Sequence, residues 1–290
     1  MADITAAMVK ELREMTSAGM MECKKALVEA EGDIEAAVDV LRTRGLAAAA
    51  KKAGRETNEG VVVALVADDA KSAALVEVNC ETDFVSRNEV FGGYAAKVAQ
   101  AVLAKDPADL DALKAVDVDG QSVEDIITEA IHTIGENIQI SRFIRRSVTD
   151  GAISSYIHGG GRIGILVRFA FSNPATAENA EFKAMAKDVA MQVAAACPGA
   201  VSRDDFAPEI IAREKDIYKA QAAESGKPED IQEKMAQGRM EKFYKESALV
   251  EQAFIKDSDK TVRSHIESIS AATGDTITVV GFDRFVLGQQ

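Results

Sequence analysis

The stretch Leu75–Phe91, LVEVNCETDFVSRNEVF, reads as a strand, a corner and a helix. Leu75, Val76 and Val78 make a short β-rich run. Ser86-Arg87-Asn88-Glu89 fits a capping box with Ser86 as N-cap, and Val85 and Val90 are spaced as a hydrophobic staple around it. Val90, Phe91, Tyr94, Ala95, Val98 and Val102 then recur at three- and four-residue spacing, one apolar helix face. Thr82-Asp83-Phe84 is left on the corner ahead of that helix. Spacing leaves two readings of the corner open. Phe84 either folds back under the helix entry with Asp83 capping an amide, or protrudes as an aromatic wedge toward another protein.

Working outward, the same order of elements occurs twice. Gly60–Val66 reads as a strand, Ala67–Ala70 as a turn and Ala74–Val78 as the returning strand. After the corner and its helix, Ser122 opens a second helix carrying Ile126, Ile127, Ala130, Ile131 and Ile134; Gly135 ends it and Ile138–Ile144 is a third strand. In the second half Ala152–Tyr156 and Ile163–Phe171 flank the turn Gly159-Gly160-Gly161, and a helix runs from about Ala177 to Ala196. A further helix with Val262, Ile266 and Ile269 ends at Gly274, and Ile277–Val286 closes the chain. Gly135-Glu136-Asn137-Ile138 matches Gly274-Asp275-Thr276-Ile277. The fold class is α+β: two β-β-α-α-β units, each a three-stranded antiparallel sheet with helices over one face.

Residues 1–54 read as a three-helix module. Thr5 caps the first helix, which ends near Ser17-Ala18-Gly19; the second runs from about Met21 to Ala30, and Asp33 caps a third that ends at Gly45. Ala47–Gly60 is taken as a linker. Met20-Met21 is either filler in a small core or an adaptable contact surface. The core halves are expected at 55–148 and 149–290. The second is interrupted at about 208–246 by two helices whose apolar stripe is too thin for burial, which fits a projecting antiparallel hairpin.

A net charge of −13 and a pI near 4.8 disfavour non-specific nucleic-acid binding, which depends on Lys and Arg. Cys23, Cys80 and Cys197 are odd in number and lack Cys-x-x-Cys spacing, against both a disulfide framework and a zinc site. No signal peptide is legible at the amino terminus, and no apolar run nears the ~20 residues of a membrane span. A cytoplasmic protein is expected, with no membrane or nucleic-acid partner. Gly159-x-Gly161-x-x-Gly164 matches a dinucleotide pattern, but a strand follows it where that motif requires a helix. There is no P-loop, and His132, His158 and His265 have no metal-ligand spacing. His132 and His265 are expected on helix surfaces. No catalytic site, metal or cofactor is assigned, which favours a binding protein over an enzyme.

The string Glu77-Val78-Asn79-Cys80-Glu81-Thr82-Asp83-Phe84-Val85 resembles the signature of the bacterial translation elongation factor Ts family, which exchanges guanine nucleotide on elongation factor Tu. Leu12–Leu27, LREMTSAGMMECKKAL, resembles that family's amino-terminal module, itself similar to a ubiquitin-associated domain. Ile134-Gly135-Glu136-Asn137-Ile138, Tyr156-Ile157-His158-Gly159 and the helical insertion, a coiled coil in the family, extend the resemblance over nearly the whole chain. It implies that Thr82, Asp83, Phe84 and Val85 engage elongation factor Tu and dislocate its Mg²⁺. It further implies that Ile134, Gly135 and His158 share the contact, and that Met20, Met21 and Lys24 anchor it. Some members continue into a further carboxy-terminal helical segment; the present sequence ends at Gly288-Gln289-Gln290, so contacts of that segment are not carried over.

Overall fold

The computed structural model describes residues 4–16 and 18–289; Ser17, in the expected turn, and Gln290 lie outside the described residues. The chain begins with α1 (Ala6–Thr16), α2 (Met20–Glu29) and α3 (Ile34–Lys52). They close over a small core of Leu12, Cys23, Ala26, Leu27, Ala37 and Leu41. Asp33 caps α3, its carboxylate accepting from the Ala36 amide at 2.9 Å.

The expected end of α3 at Gly45 is wrong: the helix continues through the alanines to Lys52. Alanine is the strongest helix former, so nothing in Ala47–Ala50 stops it. Gly45 serves an approach instead. It is buried, and a Cβ there would stand 3.3 Å from Thr128 Cγ2 on a core helix. The connection to the core shortens accordingly to residues 53–58.

The first core half contains β1 (Glu59–Val66), β2 (Ser72–Cys80), α4 (Asp83–Ser86), α5 (Glu89–Lys105), the short α6 (Leu110–Lys114), a two-residue ribbon of β3 (Asp117–Val118) and β4 (Gln121–Ser122), α7 (Val123–Ile134) and β5 (Gln139–Ser147). Its sheet has the order β1-β2-β5, antiparallel throughout, with Val61 opposite Val78. One face, including Ala74, Val76, Val78 and Cys80, packs beneath Phe91, Val98 and Val102 of α5 and Ile126 and Ala130 of α7.

The second half has β6 (Ala152–His158), β7 (Ile163–Ala170) and α8 (Ala180–Ala196). Next come α9 (Pro208–Ala223), α10 (Glu229–Ser247), the ribbon of β8 (Ala253–Phe254) and β9 (Asp257–Thr261), α11 (Val262–Thr273) and β10 (Thr278–Val286). Its sheet is ordered β10-β7-β6, with Ile165, Val167 and Phe169 buried against Phe182, Met185 and Val189 of α8 and Ile266 of α11. α9 and α10 pair antiparallel. Their base is wedged by Phe206 against Phe243, ring centroids 5.1 Å apart, and by Arg203, which stacks 4.6 Å over Tyr244 while ion-paired to Glu241 and Glu251.

The two sheets meet back to back. Val62, Ala73 and Leu75 of the first pack against Ile153, Leu166 and Phe285 of the second, so β2 and β7 are buried on both faces and the layers run helix, sheet, sheet, helix. Gly164 permits the approach: a Cβ there would fall 2.4 Å from Val62 Cγ1 and 2.7 Å from Leu75 Cδ1. Burying a carboxylate here needs full pairing. Glu77 accepts from Arg142 Nε at 2.8 Å and from the Gly288 amide at 2.9 Å, and the Arg142 guanidinium lies 4.1 Å over the Phe285 ring. Arg146 closes a two-pronged bond to Asp283 at 2.7 and 2.9 Å.

Candidate functional site

β2 ends at the buried Cys80, whose thiol bonds the Thr82 carbonyl at 3.3 Å and is pushed up to about 12, mainly by burial and then by the charge of Glu136. The chain then turns twice. Thr82, not Ser86, is the first N-cap: its hydroxyl accepts from the Val85 amide at 3.4 Å and opens the single turn of α4. Asn88 caps α5, accepting from Val90 N at 2.8 Å. Ser86 instead donates to the Asp83 carbonyl at 3.0 Å. The expected capping box fails because Asn88 is an equally good cap placed two residues later. The staple fails with it: Val90 is 52% exposed, while Val85 packs half-buried against the first core.

This double turn carries Phe84 outward. The side chain is 84% exposed, the most open large hydrophobic residue described, so it does not fold beneath the helix. Asp83 beside it caps no amide and pairs with Arg87 at 3.0 Å, on the surface.

Thr82, Asp83, Phe84 and Val85 are joined to Ile134 and Gly135 by a reciprocal bridge. Gly135, in the left-handed region at φ 91°, ends α7. The next residue, Glu136, turns back so that Oε2 accepts from the Glu81 and Thr82 amides, each at 3.0 Å, and Oε1 accepts from the Thr82 hydroxyl at 2.6 Å. In return Glu81 Oε1 accepts from Asn137 N at 2.6 Å, and Asn137 Nδ2 donates to the Arg55 carbonyl at 2.8 Å. The corner and the end of α7 are therefore one ordered unit.

His158 ends β6 at the same edge of the sandwich. It is exposed, with Nδ1 3.0 Å from the Tyr156 hydroxyl. The turn after it is tied to β1 by Val62 N donating to the Gly161 carbonyl at 2.7 Å and by Arg162 on Glu59 at 3.1 Å. Glu59 lies opposite Cys80, where the corner begins. Gly159–Gly161 links β6 to β7, a hairpin turn and no phosphate loop.

Met20 and Met21 open α2 behind Gly19 and are 61% and 65% exposed, with Lys24 exposed on the next turn. They do not fill the module's core. α2 starts beside the end of α7, because Glu22 Oε2 lies 2.8 Å from His132 Nε2, though not directed as a hydrogen bond. His132 is not the surface residue expected; its side chain is 14% exposed between module and core. His265 is likewise partly covered, stacked at 4.4 Å on Phe254, and its burial lowers its pKa.

The arrangement offers exposed apolar points on ordered backbone. Among the described residues no group of His, Cys, Asp and Glu is clustered as a metal site, and no helix is long and apolar enough to cross a membrane. Sequence reasoning missed the carboxylates that order the corner. Their signal was present in the Gly-Glu and Gly-Asp pairs of the two repeats.

The family profile described as Elongation factor TS matches residues 81–289. Among curated relatives, elongation factor Ts of Clostridium perfringens is 50% identical over 99% of this chain and 93% of its own length. Elongation factor Ts of Trichlorobacter lovleyi is 46% identical over the same shares. That of Desulfovibrio desulfuricans is 46% identical over the full length of both chains. On this similarity, spanning both core halves and the helical module, the chain belongs to the elongation factor Ts family.

Proposed function

We propose that this protein is a guanine nucleotide exchange factor for elongation factor Tu, acting in the cytoplasm during protein synthesis without a catalytic site or cofactor of its own. The observation that carries the reading is Phe84, an aromatic held almost fully in solvent on a hydrogen-bonded corner. An aromatic side chain presented in this way on ordered backbone suits an anchor that fills a pocket on a partner protein.

Asp83 and Phe84 insert into the nucleotide-binding domain of the partner, presented by Thr82 and Val85, and disturb the groups that hold Mg²⁺ and the phosphates. Because Mg²⁺ bridges the phosphate oxygens in such sites, displacing it weakens nucleotide binding. Linkage makes the effect reciprocal: the factor binds the nucleotide-free partner most tightly and is released as GTP rebinds. Covering one Phe side chain supplies roughly 1.5–3 kcal/mol, one to two decades of GDP affinity at about 1.4 kcal/mol per decade. Ile134, Gly135 and His158 add to this at the same edge, and Met20, Met21 and Lys24 anchor the complex through the helical module.

The test is release of a fluorescent GDP analogue from elongation factor Tu with this protein present at a small fraction of the partner concentration. Acceleration with many turnovers is expected. No acceleration of an active cognate partner would leave a binding adaptor and overturn the exchange reading.

A further inference from the structure

The bridge at the corner occurs in both halves. In the second, Asp275 follows the glycine ending α11 as Glu136 follows the glycine ending α7. Its Oδ1 accepts from the Ser172 hydroxyl at 3.0 Å, and its Oδ2 from the Asn173 amide at 2.9 Å and the Thr176 hydroxyl at 2.8 Å. Each carboxylate thus orders the loop that leaves the middle strand of its sheet. Backbone donors that leave a ladder need other acceptors, and a carboxylate is a strong one.

In the first half the bridge has a further link. The Thr82 hydroxyl donates to Glu136 at 2.6 Å and accepts from Val85 N at 3.4 Å. Glu136 fixes Thr82, and Thr82 fixes the turn that carries Phe84. Neither the Glu136 carboxylate nor the Thr82 hydroxyl is needed as a partner contact for this to operate.

We infer that Glu136 is a positioning residue for nucleotide exchange: it orders the 81–85 corner before the partner arrives, so that Phe84 is presented at one angle. The inference rests on the exchange reading above. Without the carboxylate the corner samples other conformations, and its ordering falls on the step that inserts Phe84 within the already anchored complex. The effect passes through Phe84, so the two residues are coupled energetically.

The experiment is a double-mutant cycle on the full chain. Glu136→Ala is expected to slow GDP release at saturating factor by about tenfold, the scale of one lost charge-assisted hydrogen bond. In a Phe84→Ala background the same change should cost less than about twofold, since coupled changes do not add. Glu136→Gln keeps a carbonyl oxygen for the two amides and should recover most of the rate. Amide hydrogen exchange gives a readout independent of the partner: Glu81 and Thr82 should lose protection in Glu136→Ala while Val76 and Val78 keep theirs. Should the alanine variant lose protection throughout, Thr82→Val, which removes the hydroxyl relay between Glu136 and the α4 turn, carries the cycle in its place. Equal slowing with and without Phe84, or a rate unchanged by Glu136→Ala, overturns the inference alone. A wild-type protein that does not accelerate release overturns the exchange reading and this inference with it, whatever the amides show.

Discussion

The two halves of the core build the same corner and put different things on it. In the first, Glu136 secures a loop whose tip is Phe84, 84% exposed. In the second, Asp275 secures Ser172–Thr176, whose tip is Pro174-Ala175 with no aromatic at all. Everything beneath is shared: middle strand, covering helices, helix-ending glycine and acid. The difference separates two jobs. The acid bridge belongs to the scaffold and serves both copies; the activity we propose depends on which side chain the corner carries.

That separation can be broken at the joint between the halves. Gly164→Val should destabilise the protein by about 3 kcal/mol, the upper end of overpacking costs, because its Cβ would meet Val62 Cγ1 at 2.4 Å. Urea unfolding reads it, and an unchanged midpoint would mean that the sheets do not approach this closely. At the corners, Phe84→Ala should reduce exchange by about 10- to 100-fold, given roughly 1.5–3 kcal/mol for one Phe. Stability should move by less than about 0.5 kcal/mol, as for other surface changes. Pro174→Ala at the second corner should leave exchange unaltered, and a loss there would show that both corners are contact points. Thr82→Val removes the cap of α4 and should cost about 1 kcal/mol, whereas Thr82→Ser should be nearly silent.

The smallest effect is confined to acid. The hydrogen bonds of Asn173 N and of the Thr176 and Ser172 hydroxyls hold Asp275 down to about 2, below the ~3.9 of an unfolded Asp. A depressed carboxyl contributes stability that is complete above about pH 4 and is lost as pH falls toward 2. Asp275→Asn should therefore flatten the stability-versus-pH curve in that window and leave the slope above pH 5 unchanged. A slope that persists between pH 4 and 2 would assign the acid sensitivity to other groups.

Much of the architecture was legible because periodicity reports burial directly. Ile163, Ile165, Val167 and Phe169 alternate on one strand, and Ile126, Ala130 and Ile131 mark one helix face. The back-to-back packing of the sheets was not. β2 places Ala73, Leu75, Glu77 and Asn79 on the face opposite Val76 and Val78, and two buried polar residues there hide an interior surface. Gly45 misled for a related reason. A glycine reads as a helix end, and only the neighbouring Thr128 shows that it serves a close crossing. At the candidate site, Phe84 could be noticed but its direction could not, since Ser86 and Asn88 are both good caps and the choice between them sets where the helix begins. Glu136 acts on residues 54 and 55 positions away, a distance that local spacing does not carry and that only the repeat of Gly135-Glu136 as Gly274-Asp275 marks.

The central claim is tested most directly by the rate of fluorescent GDP release from elongation factor Tu against concentration of this protein, for wild type and Phe84→Ala. The account predicts that the variant loses most of the rate at saturation while still binding through Met20, Met21 and Lys24. A variant that reaches the wild-type rate would contradict it and reduce Phe84 to an exposed residue without a part in exchange.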